Sequence, residues 1–361
     1  MTIFLGTNSD GTFKINDSFQ HTILIAPTGS GKGVSYFLPN LLHCEDSIIV
    51  HDIKGENHEI TSDYRKSIGH KIYVWNPLDP KTNKYNPFDF IDKTDKNKTY
   101  NDVEKIANIL INKGCTKDFT ARKLFITTVL ELINKNGNIS FGEIIAEVSK
   151  LYNPENDTAT RLMKYLEPWS NPMIANAMSS SDFDVRKFRE EKSTLYIVIN
   201  NNDINRLQPL MNFIYQHFVD ILTSKPWQEI KDKGGVRFFL DEFSTLGKMP
   251  EFEKGIAYLR GYRVGLFLTI QNIPQLKAVY KENTIDILNN TSFKIAFHAN
   301  DFETADYISK LCLGDKGFDA KDIMQLKTDE QIVLNECEKP IKCKKFKYFE
   351  NEEFKKRAKL D

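Results

Sequence analysis

Ala26-Pro27-Thr28-Gly29-Ser30-Gly31-Lys32 lies between two stretches of different character. Before it, Thr22-Ile23-Leu24-Ile25 is a short apolar run that reads as a buried strand. After it, the segment from Val34 to Leu42 begins as a helix. Strand, glycine-rich turn and helix form the context a phosphate-binding loop needs. Glycines allow backbone N–H groups to turn inward around phosphate oxygens. The helix N-terminus adds partial positive charge and Lys32 a full one. The candidate nucleotide-binding residues are therefore Ala26, Pro27, Thr28, Gly29, Ser30, Gly31, Lys32, Gly33 and Val34, in an α/β fold.

The match to G-x-x-x-x-G-K-[ST] is incomplete, because Ala26 stands at the first glycine and Gly33 at the Ser/Thr position. That hydroxyl is ordinarily a magnesium ligand. Water fills its place, or Ser35 or Thr28 contributes indirectly. The competing reading is an ordinary glycine-rich turn.

The remaining chain favours the phosphate reading. Val236-Arg237-Phe238-Phe239-Leu240 is a largely apolar run that ends in Asp241-Glu242. In parallel α/β sheets, ligands bind at the carboxyl ends of strands. Asp241 is the candidate magnesium ligand, and Glu242 the candidate base that orients and deprotonates water. Alone, such a strand end is common; paired with the upstream loop it is specific. Thr269-Ile270-Gln271 ends another strand, and Gln271 is placed to sense a γ-phosphate, or merely to cap the strand. Arg260 and Arg263 precede that strand. In a ring of subunits one of them reaches a neighbour's nucleotide as an arginine finger; otherwise both are surface or ion-paired residues. Asp52-Ile53-Lys54-Gly55-Glu56 follows a further strand, and is either part of the phosphate edge or a charged loop.

The chain of 361 residues has 40% apolar content, 25 Phe and 14 Tyr, enough for a substantial core. Lys+Arg and Asp+Glu are both 49, which excludes a chain-wide basic field, so nucleic-acid contact needs a local patch or an assembled channel. Five cysteines lack C-x-x-C spacing, which favours reduced thiols over zinc. The seven histidines are scattered, and a metal site around His51 and His58 is disfavoured. There is no apolar run of membrane-spanning length and no export signal pattern. A cytoplasmic chain is expected, touching membrane only through a partner or a segment outside this sequence.

Strand patterns fall at 2–5 and 12–15 around the turn Asn8-Ser9-Asp10-Gly11, then at 22–25, 47–53 and 71–75. They return at 194–199, 236–240, 264–270 and 293–297, and a closing hairpin pairs 331–334 with 342–349 across 337–340. Between them, 101–186 has helical periodicity, as at Val103, Ile106, Ala107, Leu110 and Ile111. Thr158 is a candidate helix cap, 206–222 a long helix, and 354–359 a solvated charged tail. The expected division is a nucleotide-binding domain over 1–94 and 191–361 with an all-helical insertion at 95–190.

The P-loop with Pro39-Asn40-Leu41-Leu42, Asp52-Ile53-Lys54-Gly55-Glu56, Phe239-Leu240-Asp241-Glu242-Phe243, Arg260-Gly261-Tyr262 and Gln271-Asn272-Ile273-Pro274-Gln275-Leu276 together resemble the type IV secretion coupling proteins. These form the TraG/TraD-like branch of the FtsK/HerA group of RecA-like motor ATPases. Pro340-Ile341 with Lys344-Lys345 and Tyr348-Phe349 is similar to the family's closing hairpin. The resemblance covers nearly the whole chain. It implies a RecA-like P-loop NTPase with a mostly parallel sheet, ATP and Mg2+ as cofactors, and a homo-hexamer. Glycine after the P-loop lysine is usual in this branch, and Arg260 matches its trans-acting arginine finger. The helical insertion corresponds to the family's cargo-recognising domain.

The resemblance further implies partners: DNA or a relaxase–DNA complex, and channel components at the cytoplasmic face of the inner membrane. Family members usually begin with transmembrane helices, which this sequence lacks. The expected function is an ATP-hydrolysing motor that drives DNA, nucleoprotein or protein effectors toward a secretion channel. The alternatives are a nucleotide-gated cargo adaptor with negligible turnover, or a DNA-packaging or segregation translocase.

Overall fold

In the computed structural model, residues 2–7, 13–111, 116–153, 155–312, 318–335 and 338–360 are described. The strands are β1 (Ile3–Thr7), β2 (Phe13–Asn16), β3 (Thr22–Ile25), β4 (Ser47–Asp52), β5 (Lys71–Trp75), β6 (Ser193–Val198), β7 (Val236–Leu240), β8 (Val264–Ile270), β9 (Phe293–Ala296), β10 (Glu330–Asn335) and β11 (Glu338–Lys344). They form one sheet in the order β2-β1-β11-β10-β9-β3-β8-β7-β4-β6-β5. β9, β3, β8, β7, β4 and β6 pair in parallel. β10, β11, β1 and β2 add an antiparallel wing.

β3, β4, β7 and β8 are buried along their whole length, as parallel strands covered on both faces must be. Tyr36, Phe37, Phe239 and Phe267 gather on one face of the sheet. Phe239 and Phe267 stack at 4.5 Å between centroids, a contact worth about 1 kcal/mol beyond area burial.

The helix after the P-loop opens with a π-helical turn, Gly33–Phe37, and continues as Leu38–Leu41. Pro39 explains the widening: it has no N–H to give Ser35 and its ring crowds that carbonyl. Asn40, fully buried, then ties this helix to β1. It accepts from the Phe4 N–H at 2.6 Å and donates to the carbonyls of Phe4 and Tyr36 at 3.0 and 2.9 Å.

Two compact units divide the chain. The first comprises residues 1–73, 186–204 and 222–361 and the second 74–185 and 205–221. The second is helical, with Lys96–Leu110, Thr116–Asn136, Phe141–Lys150 and Asp157–Leu166 among its elements. Tyr85 and Phe88 belong to its aromatic core, with Phe141, Phe183, Phe213 and Phe218. The long helix Asn201–Thr223 enters the second unit at residue 205 and leaves it at residue 222, boundaries with no signal in composition.

Three local expectations are corrected. Asn156 rather than Thr158 caps the helix Asp157–Leu166, accepting from the Ala159 N–H. The closing strand is Glu338–Lys344 and not 342–349; a short helical turn, Tyr348–Glu350, follows. The expected tail is a helix, Glu352–Arg357, capped by Asn351 and anchored by buried Phe354 against Phe346. The hairpin turn at Asn8–Gly11 and Cys337 of the closing hairpin lie outside the described residues. So does Cys115; Cys44, Cys312 and Cys343 are free thiols.

Candidate nucleotide site

β3, β7 and β8 lie side by side and end at one edge of the sheet. The loop after β3 carries the P-loop. Gly29 and Gly31 take φ of +75° and +88°, where a side chain would be strained. The Ser30 hydroxyl donates to the Pro27 carbonyl at 2.6 Å and closes the turn. The Ala26 N–H donates to Ile270 O at 2.9 Å, joining the base of the loop to the end of β8.

Lys32 reaches across to β7. Its Nζ lies 2.6 Å from Glu242 Oε1 and 3.3 Å from the Ala26 carbonyl. Gln271 Nε2 donates to the other oxygen of Glu242 at 3.0 Å. One carboxylate therefore joins the P-loop lysine to the glutamine after β8.

Glu242 itself sits at φ +49°, a conformation costing a non-glycine residue about 1 kcal/mol. Its N–H is held by Asp241 Oδ1 and Thr269 Oγ1, each at 3.0 Å, which fixes the turn. Thr269 Oγ1 also donates to Asp241 Oδ1 at 2.6 Å. Nothing in the local sequence around Thr269 marks its hydroxyl as part of the site. The signal was available only through pairing: Leu240 faces Leu268 in the register of β7 and β8, so the next residues, Asp241 and Thr269, are opposite one another.

Burial pushes the Asp241 carboxyl above its ordinary range, against the pull of the Thr269 hydroxyl and of Lys32. A desolvated carboxylate of this kind favours a cation. Its Oδ2 accepts no hydrogen bond among the described residues, so one oxygen remains to face an ion. Magnesium usually takes one or two carboxylates and completes its shell with phosphates and water. Among the described residues no three His, Cys, Asp or Glu side chains gather as a metal cage. The donor set therefore fits magnesium held jointly with a substrate phosphate. Gly33 is exposed, Ser35 is buried under the first helical turn, and Thr28 faces outward.

The remaining candidates lie elsewhere. Arg260 is exposed just before β8, at the end of that strand opposite Gln271. The seven residues of β8 separate the two by roughly 23 Å. Arg260 is thus not brought to the Lys32–Glu242 cluster of its own chain. Arg263 is engaged locally, donating to Lys231 O and lying over the Phe19 ring. Asp52 is a helix cap: it accepts from the N–H groups of Gly55, Asn57 and His58 at the start of Glu56–Ser67. Lys54 pairs loosely with Glu56, both exposed. His51 is fully buried in β4, and burial lowers its pKa to about 4, as for a neutral core histidine.

A mostly parallel sheet with a glycine-rich loop after one strand, an Asp-Glu pair after its second neighbour and a glutamine between them defines a RecA-like P-loop NTPase fold. The family model for type IV secretory system conjugative DNA transfer matches residues 4–164, 158–321 and 318–360. The chain belongs to that family.

Among curated relatives, the protein VirD4 of Agrobacterium fabrum is 31% identical over 351 residues, covering 86% of this chain and 52% of that protein. VirD4 of Rhizobium radiobacter is 32% identical over 351 residues, covering 86% and 50%. The conjugal transfer protein TraG of Escherichia coli is 26% identical over 364 residues, covering 84% and 57%. The chain thus spans about half the length of the curated relatives it matches. Among solved structures, the bacterial conjugative coupling protein TrwBdeltaN70 superposes with a TM-score of 0.74 at 17% identity, covering 95% of this chain and 89% of that one. TrwB in complex with ADP and Mg2+ gives 0.73 at 17% identity, covering 94% and 89%. At that identity the likeness shows the fold. No helix among the described residues is long and apolar enough to cross a membrane.

Proposed function

We propose that the chain is an ATP-hydrolysing coupling protein that drives DNA or nucleoprotein, such as a relaxase–DNA complex, toward a type IV secretion channel. The observation that carries this reading is Glu242, held between Lys32 and Gln271 beside Asp241. Membership of the conjugative DNA transfer family supports the setting, and the TrwB complex with ADP and Mg2+ supports the ligands.

Lys32 would neutralise the β- and γ-phosphates, with the P-loop N–H groups around them. Magnesium, when bound, would supply charge neutralisation to the phosphates, and Asp241 would hold it. Glu242 would orient an attacking water and accept its proton, and Gln271 would sense the γ-phosphate. Arg260, exposed and remote from its own chain's loop, would complete the site of a neighbouring subunit in a homo-hexamer. The helical segment, placed at 95–190 by its periodicity, would recognise cargo, which can include protein effectors. Docking at the cytoplasmic face of the inner membrane would run through channel components, another partner or a further segment.

Steady-state ATP turnover with and without single- and double-stranded DNA tests the proposal. Turnover that rises with DNA and vanishes in Lys32→Ala and Glu242→Gln is expected. Negligible turnover, indifferent to DNA, together with tight binding of a protein partner would favour a nucleotide-gated adaptor instead.

A further inference from the structure

β11 returns the chain to the phosphate edge. Its last residue, Lys344, pairs with Glu330 at the start of β10, and β10 runs antiparallel to β9, itself parallel to β3. The residue after β11 therefore arrives beside the P-loop. That residue is Lys345, 6% exposed, with Nζ 3.0 Å from the Ser30 carbonyl oxygen and 3.6 Å from the centroid of the Phe297 ring.

A buried ammonium is costly. Here burial lowers the pKa to about 8, with Asp329 pulling it up and Lys347 pushing it down. No carboxylate forms an ion pair with Lys345 among the described residues; a carbonyl and a ring face stand in for water. A methionine would fill the same space without that cost, so it is the charge that needs a role.

The contact with Ser30 supplies one. The Ser30 C=O and the Gly31 N–H belong to one planar trans peptide and point in opposite directions. A cation gripping the C=O holds the N–H turned away from Lys345. Gly29 and Gly31 both take positive φ, as glycines of anion-binding concavities do, and the Ser30 N–H between them donates to the Pro27 carbonyl at 3.3 Å. The Gly31 N–H has no carbonyl or side-chain acceptor among the described residues, and the residue is half-exposed, so the N–H is open to an anion.

We propose that Lys345 is a positioning residue for the phosphate cradle, gripping the Ser30 carbonyl so that the Gly31 N–H faces the bound nucleotide. Its charge also polarises that peptide and strengthens the N–H as a donor. The inference rests on the nucleotide reading of the site.

The test is titration of the full chain with magnesium ADP at pH 7 and pH 9, for wild type, Lys345→Met and Lys345→Arg. The groups facing Lys345 are Asp329 before β10, Lys347 on its own segment, and His298 after β9. Burial and Lys345 hold His298 below its usual pKa, so it stays neutral across this range. A terminal phosphate, with a second pKa of about 6, is ionised throughout.

Wild-type affinity should fall severalfold between pH 7 and pH 9 as the ammonium loses its proton. Lys345→Met should bind about tenfold or more weakly at pH 7, the loss expected for a hydrogen bond from a charged group, and should lack the fall. Lys345→Arg should bind tightly at both pH values. Equal affinity and equal pH profiles for wild type and Lys345→Met would overturn the proposal, as would an arginine variant no better than methionine. If Lys345→Met does not fold, a wild-type profile as flat as that of Lys345→Arg overturns it. A wild type that binds no ADP at either pH overturns the nucleotide reading, and this inference with it.

Discussion

Lys32 and Glu242 form an ion pair at 2.6 Å with side chains only 9% and 15% exposed. The lysine proposed to meet a phosphate is therefore held by the carboxylate proposed to meet a water. On that proposal the two roles compete, and nucleotide phosphate would have to draw Lys32 away before Glu242 could act as a base.

Glu242→Gln separates those roles. Glutamine keeps a hydrogen-bond acceptor near Lys32 and removes the charge, so the lysine is freer to face phosphate. ATP should bind as well as to wild type or up to about tenfold more tightly, a gain of about 1.4 kcal/mol. Turnover should drop on the order of a thousandfold with the loss of the base. Equilibrium binding and steady-state hydrolysis on one preparation decide this. Clear loss of ATP binding in the variant would count against the base assignment.

Thr269→Val probes the support of Asp241. The change removes the 2.6 Å hydrogen bond to Asp241 Oδ1 and one of the two acceptors of the Glu242 N–H while nearly preserving volume. Burial already pushes the Asp241 carboxyl up, and without the hydroxyl it rises further. Stability should fall by about 1–2 kcal/mol in denaturant unfolding. Nucleotide binding should also need more magnesium, which a magnesium titration at fixed nucleotide measures. An unchanged magnesium requirement would remove Thr269 from the site.

Much of this site was legible because its residues end strands, and strand ends in a parallel sheet share an edge. The apolar runs before Lys32, Asp241 and Gln271 placed all three there. Thr269 and Lys345 were not legible, since their meaning depends on register. Thr269 matters because it lies opposite Asp241 on the next strand, and Lys345 because antiparallel pairing brings it to Ser30, 315 positions away. The C-terminal helix failed for a related reason. Its charged pattern reads as solvated until Phe346 offers Phe354 a surface to bury. Tyr85 and Phe88 precede any helical periodicity yet pack with residues beyond it, a contact that periodicity alone does not reveal.

Buried histidines set the acid limit. Burial lowers the pKa to about 4 in His21 and His51, and to about 3 in His70 and His217. All lie below the ordinary 6.5, so the unfolded chain binds more protons than the folded one at intermediate acidity. Their contribution is fully present above pH 6.5 and is lost as pH falls toward 3–4, by at most about 1.4 kcal/mol per pH unit for each group. Urea midpoints measured from pH 7.5 to 4.5 should fall steadily. His217, packed among the rings of Tyr85 and Phe213, gives the control: His217→Phe should flatten the fall, and a parallel profile would clear His217 of any part in it.

Asn40→Ala should be the most costly single change near the P-loop helix. It leaves the N–H and C=O of Phe4 and one acceptor site of Tyr36 O without their partner, in a fully buried setting. A loss of about 3 kcal/mol is expected from two or three groups stranded at about 1–3 kcal/mol each, partly relieved by relaxation. Chemical denaturation measures it. A cost under about 1 kcal/mol would mean that water reaches the gap, and that β1 does not depend on this tie.

Arg260 offers the sharpest test of assembly. It is exposed at the strand end opposite Gln271, so it cannot serve the Lys32 of its own chain without unravelling β8. Arg260→Ala should lower turnover on the order of a thousandfold while leaving ATP binding and monomer stability near wild type. Mixing it with Lys32→Ala, itself inactive, distinguishes action between subunits from a local effect. In a mixed ring, some interfaces pair an intact Lys32 from one variant with an intact Arg260 from the other. Activity should reappear on mixing, and should vary with the ratio of the two proteins as random assembly dictates. Two dead preparations that stay dead when mixed, under conditions where rings are seen to form, would leave Arg260 as a surface residue.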